Sequence, residues 1–341
     1  MQKPKVLLIY TGGTIGMIED TDTGSLRPFD FNHLFNQVPE LKRFNIDIDC
    51  VSFEKPIDSS NMSPKEWIKM ADIIEANYSK FDGFVILHGS DTMAFSASAL
   101  SFMLENLAKP VIFTGSQLPM GKIRTDGKEN LITAIEIAAA KDNGKPIVPE
   151  VAIYFEYSLY RGNRTHKFNA EHFQAFRSAN YPELAEAGVH IKYNNTAILK
   201  VSDNKLVVHK KLDNNIAILK IFPGINTEVV SSIVNIPGLK ALIIETFGAG
   251  NAPLNPQMFN ILKNAISKGI IILNVTQCNS GSVDQGRYET SSAFNQIGVI
   301  GGKDITTEAA VAKLMYLIGQ DLANDDIKKL LSISLRGEIT E

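Results

Sequence analysis

Residues 5–17 read KVLLIYTGGTIGM. Val6 to Tyr10 is an unbroken apolar run, about the length of a strand covered on both faces, and glycines and threonines follow it at once. A buried strand that ends in a glycine turn is how a parallel α/β unit begins, and in such sheets ligands bind at the carboxyl ends of the strands. The turn is unusual in placing a hydroxyl, Thr14, between Gly13 and Ile15. A phosphate-binding P-loop would need a lysine after its last glycine, and none is present. A dinucleotide fingerprint would need glycine where Thr11 stands. What remains is an alcohol on a loop whose free N–H groups are able to stabilise an oxyanion.

The same texture continues outward. The runs FDGFVILHG, KPVIFTG and VPEVAIYF read as further strands buried on both faces, with helical segments between them. One helix starts at Ser63, where Ser63, Pro64 and Glu66 have the spacing of a capping box with proline at the first helical position. Trp67, Met70, Ala71 and Ile74 then form one apolar stripe facing the sheet. After residue 190 the chain turns polar and loses helical period, and beyond residue 214 the α/β pattern resumes with IAILKIF, LKALIIETF and GIIILNVTQ, and with helices near Gln257–Lys268 and Thr307–Gln320. The expected fold class is two-domain α/β. A larger N-terminal domain, residues 1–190, has a mostly parallel sheet; a linker spans 191–214; a smaller parallel α/β domain spans 215–341.

Composition narrows the partners. With 341 residues, 44% hydrophobic, 21% charged and a net charge of −3, the chain is neither disordered nor basic. Nucleic acid and anionic membranes are therefore not expected as partners, and a small solute is. The apolar run behind the basic N-terminus is too short for a secretory signal, and no stretch reaches the ~20 apolar residues of a membrane span. A cytoplasmic protein with Cys50 and Cys278 reduced is the expectation. Six scattered histidines show no metal-ligand spacing, so neither a metal nor a cofactor is expected.

The strand ends are rich in hydroxyls: YTGGTIG, PIDSSNMSP, HGSDTM and FTGSQLP. Helix capping accounts for such residues one at a time, and Thr92 and Ser116 are read as caps. Asp91 in HGSDT has the same ordinary explanation. A threonine hydroxyl, however, attacks only after its proton is removed, and carboxylates and amines are the candidates for that, among them Asp91, which lies beside a second hydroxyl, Ser90. Lys167, in LYRGNRTHK, is by default a solvated lysine; buried beside Ser90 and Asp91 it would be a different chemical object. Spacing alone does not bring these three together. The glycine-hinged stretch IEDTDTGSLRP at residues 18–28 is long enough to close over Thr14.

The ordered set TGGTIGM, DSSNM, VILHGSDTMAFSASALSFMLENL, KPVIFTGSQLP, LYRGNRTHK, GNAP and GVIGGKDITTEA, closing with LRGEIT, resembles the bacterial type I, cytoplasmic L-asparaginases over essentially the whole chain. The resemblance implies a two-domain amidohydrolase that splits L-asparagine to L-aspartate and ammonia through an acyl-enzyme. It implies Thr14 as nucleophile, Ser90, Asp91 and Lys167 as the second catalytic set, and Asp58, Ser59 and Ser60, with Ser90 and Asp91, as the substrate-binding residues. It further implies a homotetramer built as a dimer of dimers. The chain departs from the family in two places. Ser90 stands where threonine is usual, and residues 15–28 contain no tyrosine to serve as the lid tyrosine of the family. A glutaminase or ammonia-supplying amidotransferase subunit, or a non-catalytic amino-acid sensor, are the competing classes.

Overall fold

The computed structural model describes residues 3–19, 26–28, 38–286 and 289–341, arranged as two compact units, residues 1–210 and 211–341. The first is built on an eight-stranded sheet. Its strands in chain order are β1 (Lys5–Gly12), β2 (Asp47–Ile57), β3 (Gly83–Leu87), β4 (Val111–Thr114), β5 (Val151–Phe155), β6 (Ser158–Arg161), β7 (Ala185–Ala187) and β8 (Ile191–Tyr193). In space they run β8-β7-β6-β5-β4-β3-β1-β2. The first five in sequence are mutually parallel where they pair, and β6, β7 and β8 continue the sheet antiparallel.

The apolar runs fold as their composition requires. Every residue of β3, β4 and β5 is buried, because helices cover both faces. On one face lies α3 (Gly127–Ala139), whose Leu131, Ala134, Ile135 and Ala138 pack with Val6, Leu8, Val85, Leu87 and Ile112. α1 (Pro64–Asn77) and α2 (Met93–Met103) pack on each other, and α2 lies against β5. The stripe Trp67, Met70, Ala71 and Ile74 is buried as its spacing requires. The capping box takes a different form: the Ser63 hydroxyl bonds the Glu66 carboxylate directly and makes no cap bond to the backbone.

The second unit has a parallel sheet in the order β9 (Ile216–Lys220), β10 (Ala241–Thr246), β11 (Ile271–Thr276) and β12 (Ile300–Gly301). One face is covered by α4 (Thr227–Val234), α5 (Pro256–Ser267) and Phe294 of α6 (Glu289–Ile297), which share a core with Leu219, Leu242, Ile244 and Ile272. The helix α7 (Thr307–Gly319) packs on the same sheet. The two α/β sheets are those expected, the larger one first.

The stretch 191–214, read above as a linker, is largely part of the first unit. Ile191–Tyr193 forms the edge strand β8, and Val207–Val208 pairs with Leu104–Glu105. The buried Glu150–Arg161 ion pair binds Ala197 O through Arg161 and Leu199 N through Glu150. Backbone pairing and a buried charge pair hold this polar segment, neither of which leaves an apolar period to read. In the segment read as a closing lid, Met17–Glu19 pairs antiparallel with Leu26–Pro28, and residues 20–25 lie outside the described residues. Among the described residues no helix is long and apolar enough to cross a membrane.

Candidate active site

The chain leaves β1 to form β2 on one side and then returns to place β3 on the other, so β1 marks a switch point where successive loops part and leave a crevice. Thr14 follows β1, Asp58–Ser60 follow β2, and Ser90 and Asp91 follow β3. The sheet order thus collects three of the four hydroxyl-rich loops at one place.

These loops meet backbone to backbone. Gly12 and Gly13 have φ of 139° and 84°, which strongly favour glycine. A Cβ on Gly12 would fall 2.0 Å from the Ile57 carbonyl oxygen, and one on Gly13 would fall 2.5 Å from Gly89 N. A Cβ on Gly89 would in turn fall 2.5 Å from Ser59 Oγ. Gly12 and Gly13 therefore serve close approach between the Thr14 loop and the loops that carry Ser59 and Ser90, whereas Gly16 makes room for the Tyr10 ring. Thr11 Oγ1 donates to Leu87 O at 3.0 Å, whereas the Thr14 hydroxyl has no such bond to a described residue. Thr14 opens a 3-10 turn, Thr14–Gly16, closed from below by the buried Tyr10, whose hydroxyl donates to Gly16 O at 3.0 Å. Burial pushes the Tyr10 phenol up to about 12, so it remains a neutral donor at physiological pH.

In the second loop Asp58 caps the turn Ser59–Asn61. Its Oδ1 accepts from the N and the Oγ of Ser60, both at 2.9 Å, and these bonds hold its carboxyl below the usual range. Ser59 is buried, and its carbonyl accepts the Thr92 hydroxyl at 2.6 Å. Thr92 is therefore a tie between two loops, although it occupies the N-cap position of α2. Ser116 likewise donates to Leu118 O within its own loop, at 2.6 Å.

The third loop resolves what spacing left open. Lys167 Nζ donates to Asp91 Oδ1 at 2.5 Å and to Ser90 Oγ at 3.0 Å. Its side chain is 17% exposed, so Lys167 is not a solvated surface lysine, and Asp91 bonds that lysine while Thr92 takes the N-cap position of α2. Lys167 arrives on a short antiparallel pair, His166–Lys167 with Phe176–Arg177. Among the described residues no cluster of three or more His, Cys, Asp or Glu could hold a metal ion.

Sequence reasoning passed over His88, the residue immediately before Gly89. It is wholly buried: Nδ1 lies 2.7 Å from Gly89 O, and Nε2 lies 2.9 Å from Ser96 Oγ, which also accepts from Trp67 Nε1 at 2.9 Å. A carbonyl only accepts, so Nδ1 carries the proton of the neutral ring and Nε2 receives the Ser96 hydroxyl. This chain of bonds runs from the core helices α1 and α2 to the peptide at which the loops meet. Its only signal in the sequence is a histidine at a strand end.

Burial pushes His88 down to about 4. The unfolded chain takes up this proton near pH 6.5, so stability declines as the pH falls below that value and the loss is complete near pH 4. The expected loss is about 2 kcal/mol by pH 5 and about 3 kcal/mol by pH 4. Thermal unfolding of parent and His88→Gln between pH 7 and 5 checks it; parallel midpoint curves for the two proteins would refute it.

Fold and site together describe a two-domain α/β protein with a hydroxyl-bearing glycine loop beside a Ser–Asp–Lys set. Residues 5–199 match the family model Asparaginase, N-terminal, and residues 215–331 match the Glutaminase/Asparaginase C-terminal domain. The chain belongs to the asparaginase family. It is 46% identical over 344 residues to L-asparaginase 1 of Escherichia coli (strain K12), covering 100% of this chain and 99% of that one. The solved structure of L-asparaginase I from Vibrio cholerae O1 biovar eltor str. N16961 superposes with a TM-score of 0.90 at 40% identity, over 99% of this chain and 100% of that one. A glutamyl-tRNA(Gln) amidotransferase component of Pyrococcus abyssi (strain GE5 / Orsay) is 32% identical over 342 residues, which are 99% of this chain and 77% of that protein.

Proposed function

We propose that this chain hydrolyses the side-chain amide of L-asparagine to L-aspartate and ammonia through an ester on Thr14. The observation that carries the reading is the Lys167 ammonium, held between Ser90 Oγ and Asp91 Oδ1 on a loop whose backbone abuts that of Thr14. The Thr14 oxygen attacks the amide carbon, and backbone N–H groups of the glycine loop stabilise the oxyanion. The C–N bond breaks, the nitrogen leaves as ammonia with the proton lost by Thr14, and water then adds across the ester to return aspartate and the free alcohol. Ser90, Asp91 and Lys167 form the acid–base set for these transfers. The zwitterionic end of asparagine is met by Asp91, facing the ammonium, and by Asp58, Ser59 and Ser60 with their loop N–H groups.

The 46% identity to an enzyme named L-asparaginase, against 32% to the Pyrococcus abyssi amidotransferase component, supports hydrolysis over an ammonia-supplying role. A homotetrameric, cytoplasmic enzyme is part of the same reading. Asparagine and glutamine differ by one methylene, a discrimination worth ~1–3 kcal/mol that pocket shape decides. A coupled ammonia assay on both amides tests the proposal. Turnover of asparagine is expected. Turnover of glutamine alone would favour the glutaminase or amidotransferase class, and tight asparagine binding without turnover would favour a sensor.

A further inference from the structure

Gln117 follows β4, the neighbour of β3, and every polar atom of its side chain is engaged. Nε2 donates to the carbonyls of Ala170, at 3.2 Å, and His172, at 3.0 Å, in the loop that Lys167 leads into. Oε1 accepts from Ser90 Oγ at 3.2 Å. The backbone is anchored as well: the N–H groups of Gln117 and Leu118 both donate to the Asp126 carboxylate, the closest at 2.8 Å.

Donor and acceptor roles follow by elimination. The two carbonyls only accept, so the NH2 of Gln117 faces them and Oε1 faces Ser90. An amide oxygen has no proton to give, so the Ser90 hydroxyl donates to it, and the Ser90 lone pairs are left for the ammonium of Lys167. We propose that Gln117 is a positioning residue that acts through Ser90: it holds the hydroxyl proton of Ser90 away from Lys167 and so presents a Ser90 lone pair to the lysine in the resting site. The smaller Ser90, with no methyl to restrict χ1, depends on such an outside partner. This proposal rests on the hydrolase reading above.

The test is a double-mutant cycle on the full chain, with asparagine as substrate and ammonia release as the readout. Gln117→Leu removes the acceptor at a half-buried position. It is expected to lower kcat about tenfold and to change KM by less than about threefold, because the side-chain oxygen it removes is bonded to Ser90 of the acid–base set. In a Ser90→Ala background, where no hydroxyl remains to orient, the same change is expected to cost less than about twofold. Gln117→Met, equal in length to glutamine, serves if the leucine variant folds poorly. A kcat within about twofold of the parent, or losses that multiply in the double variant, would overturn the assignment while leaving the hydrolase reading intact. A parent chain that releases no ammonia from asparagine would overturn both.

Discussion

Thr14→Ala is expected to lower ammonia release from L-asparagine on the order of 10⁴-fold or more, with a thermal midpoint close to that of the parent. The size follows from the role proposed: without the alcohol no ester forms, and only the binding groups and oxyanion donors remain. The unchanged stability follows from geometry. The turn is shaped by Gly12 and Gly13 and closed by Tyr10, and the Thr14 hydroxyl makes no bond to a described residue that its removal would break. Thr14→Ser keeps the nucleophile but frees χ1, and a loss of about tenfold is expected. Rapid quenching followed by mass spectrometry is the direct check: the parent acquires an aspartyl ester on the peptide that contains Thr14, and the alanine variant does not. Hydrolysis by the alanine variant at the parental rate would end this mechanism.

The second large effect concerns stability and lies in the other unit. Lys313 on α7 and Glu338 near the C-terminus form a wholly buried ion pair at 2.7 Å. Lys313 Nζ also donates to Ile333 O at 2.6 Å and to Leu331 O at 3.3 Å. The Glu338 carboxylate accepts from Leu335 N, with 2.9 Å the shorter contact, and from Arg336 N at 2.7 Å. The pair thus fastens the last residues of the chain to α7. Burial pushes the Lys313 amine down while the Glu338 carboxylate opposes the shift. Lys313→Met leaves a carboxylate in the core without its cation, and a loss of about 3–5 kcal/mol is expected. Adding Glu338→Gln to that variant should restore part of it, since a neutral amide oxygen still accepts from the two backbone N–H groups. Thermal unfolding followed by circular dichroism measures both. A single variant within about 0.5 kcal/mol of the parent would show that the pair contributes little.

Local patterning of apolar and polar residues carried much of the fold. KVLLIY, FVIL and PVIFTG are buried strands because nothing in them interrupts an apolar surface, and TGGTIG ends the first of them because glycine alone tolerates the close approach found there. The edge strand β2 was less visible: most of Asp47–Ile57 faces solvent, so it has neither a continuous apolar run nor a clean alternation. The segment 191–210 was hidden for the related reason that buried charge and backbone pairing hold it.

The residues of this chain thus determined by themselves that parallel strands end in hydroxyl-bearing glycine turns, since that is written in neighbours a few positions apart. Only the tertiary structure decided that Lys167 comes within hydrogen-bond distance of Ser90 and Asp91 across more than 70 positions, that Gln117 bonds the Ser90 hydroxyl, and that His88 bonds the Gly89 carbonyl where the loops meet. The reason is physical: periodicity records how much of each segment is covered, whereas contacts between loops depend on the spatial order of the strands that carry them.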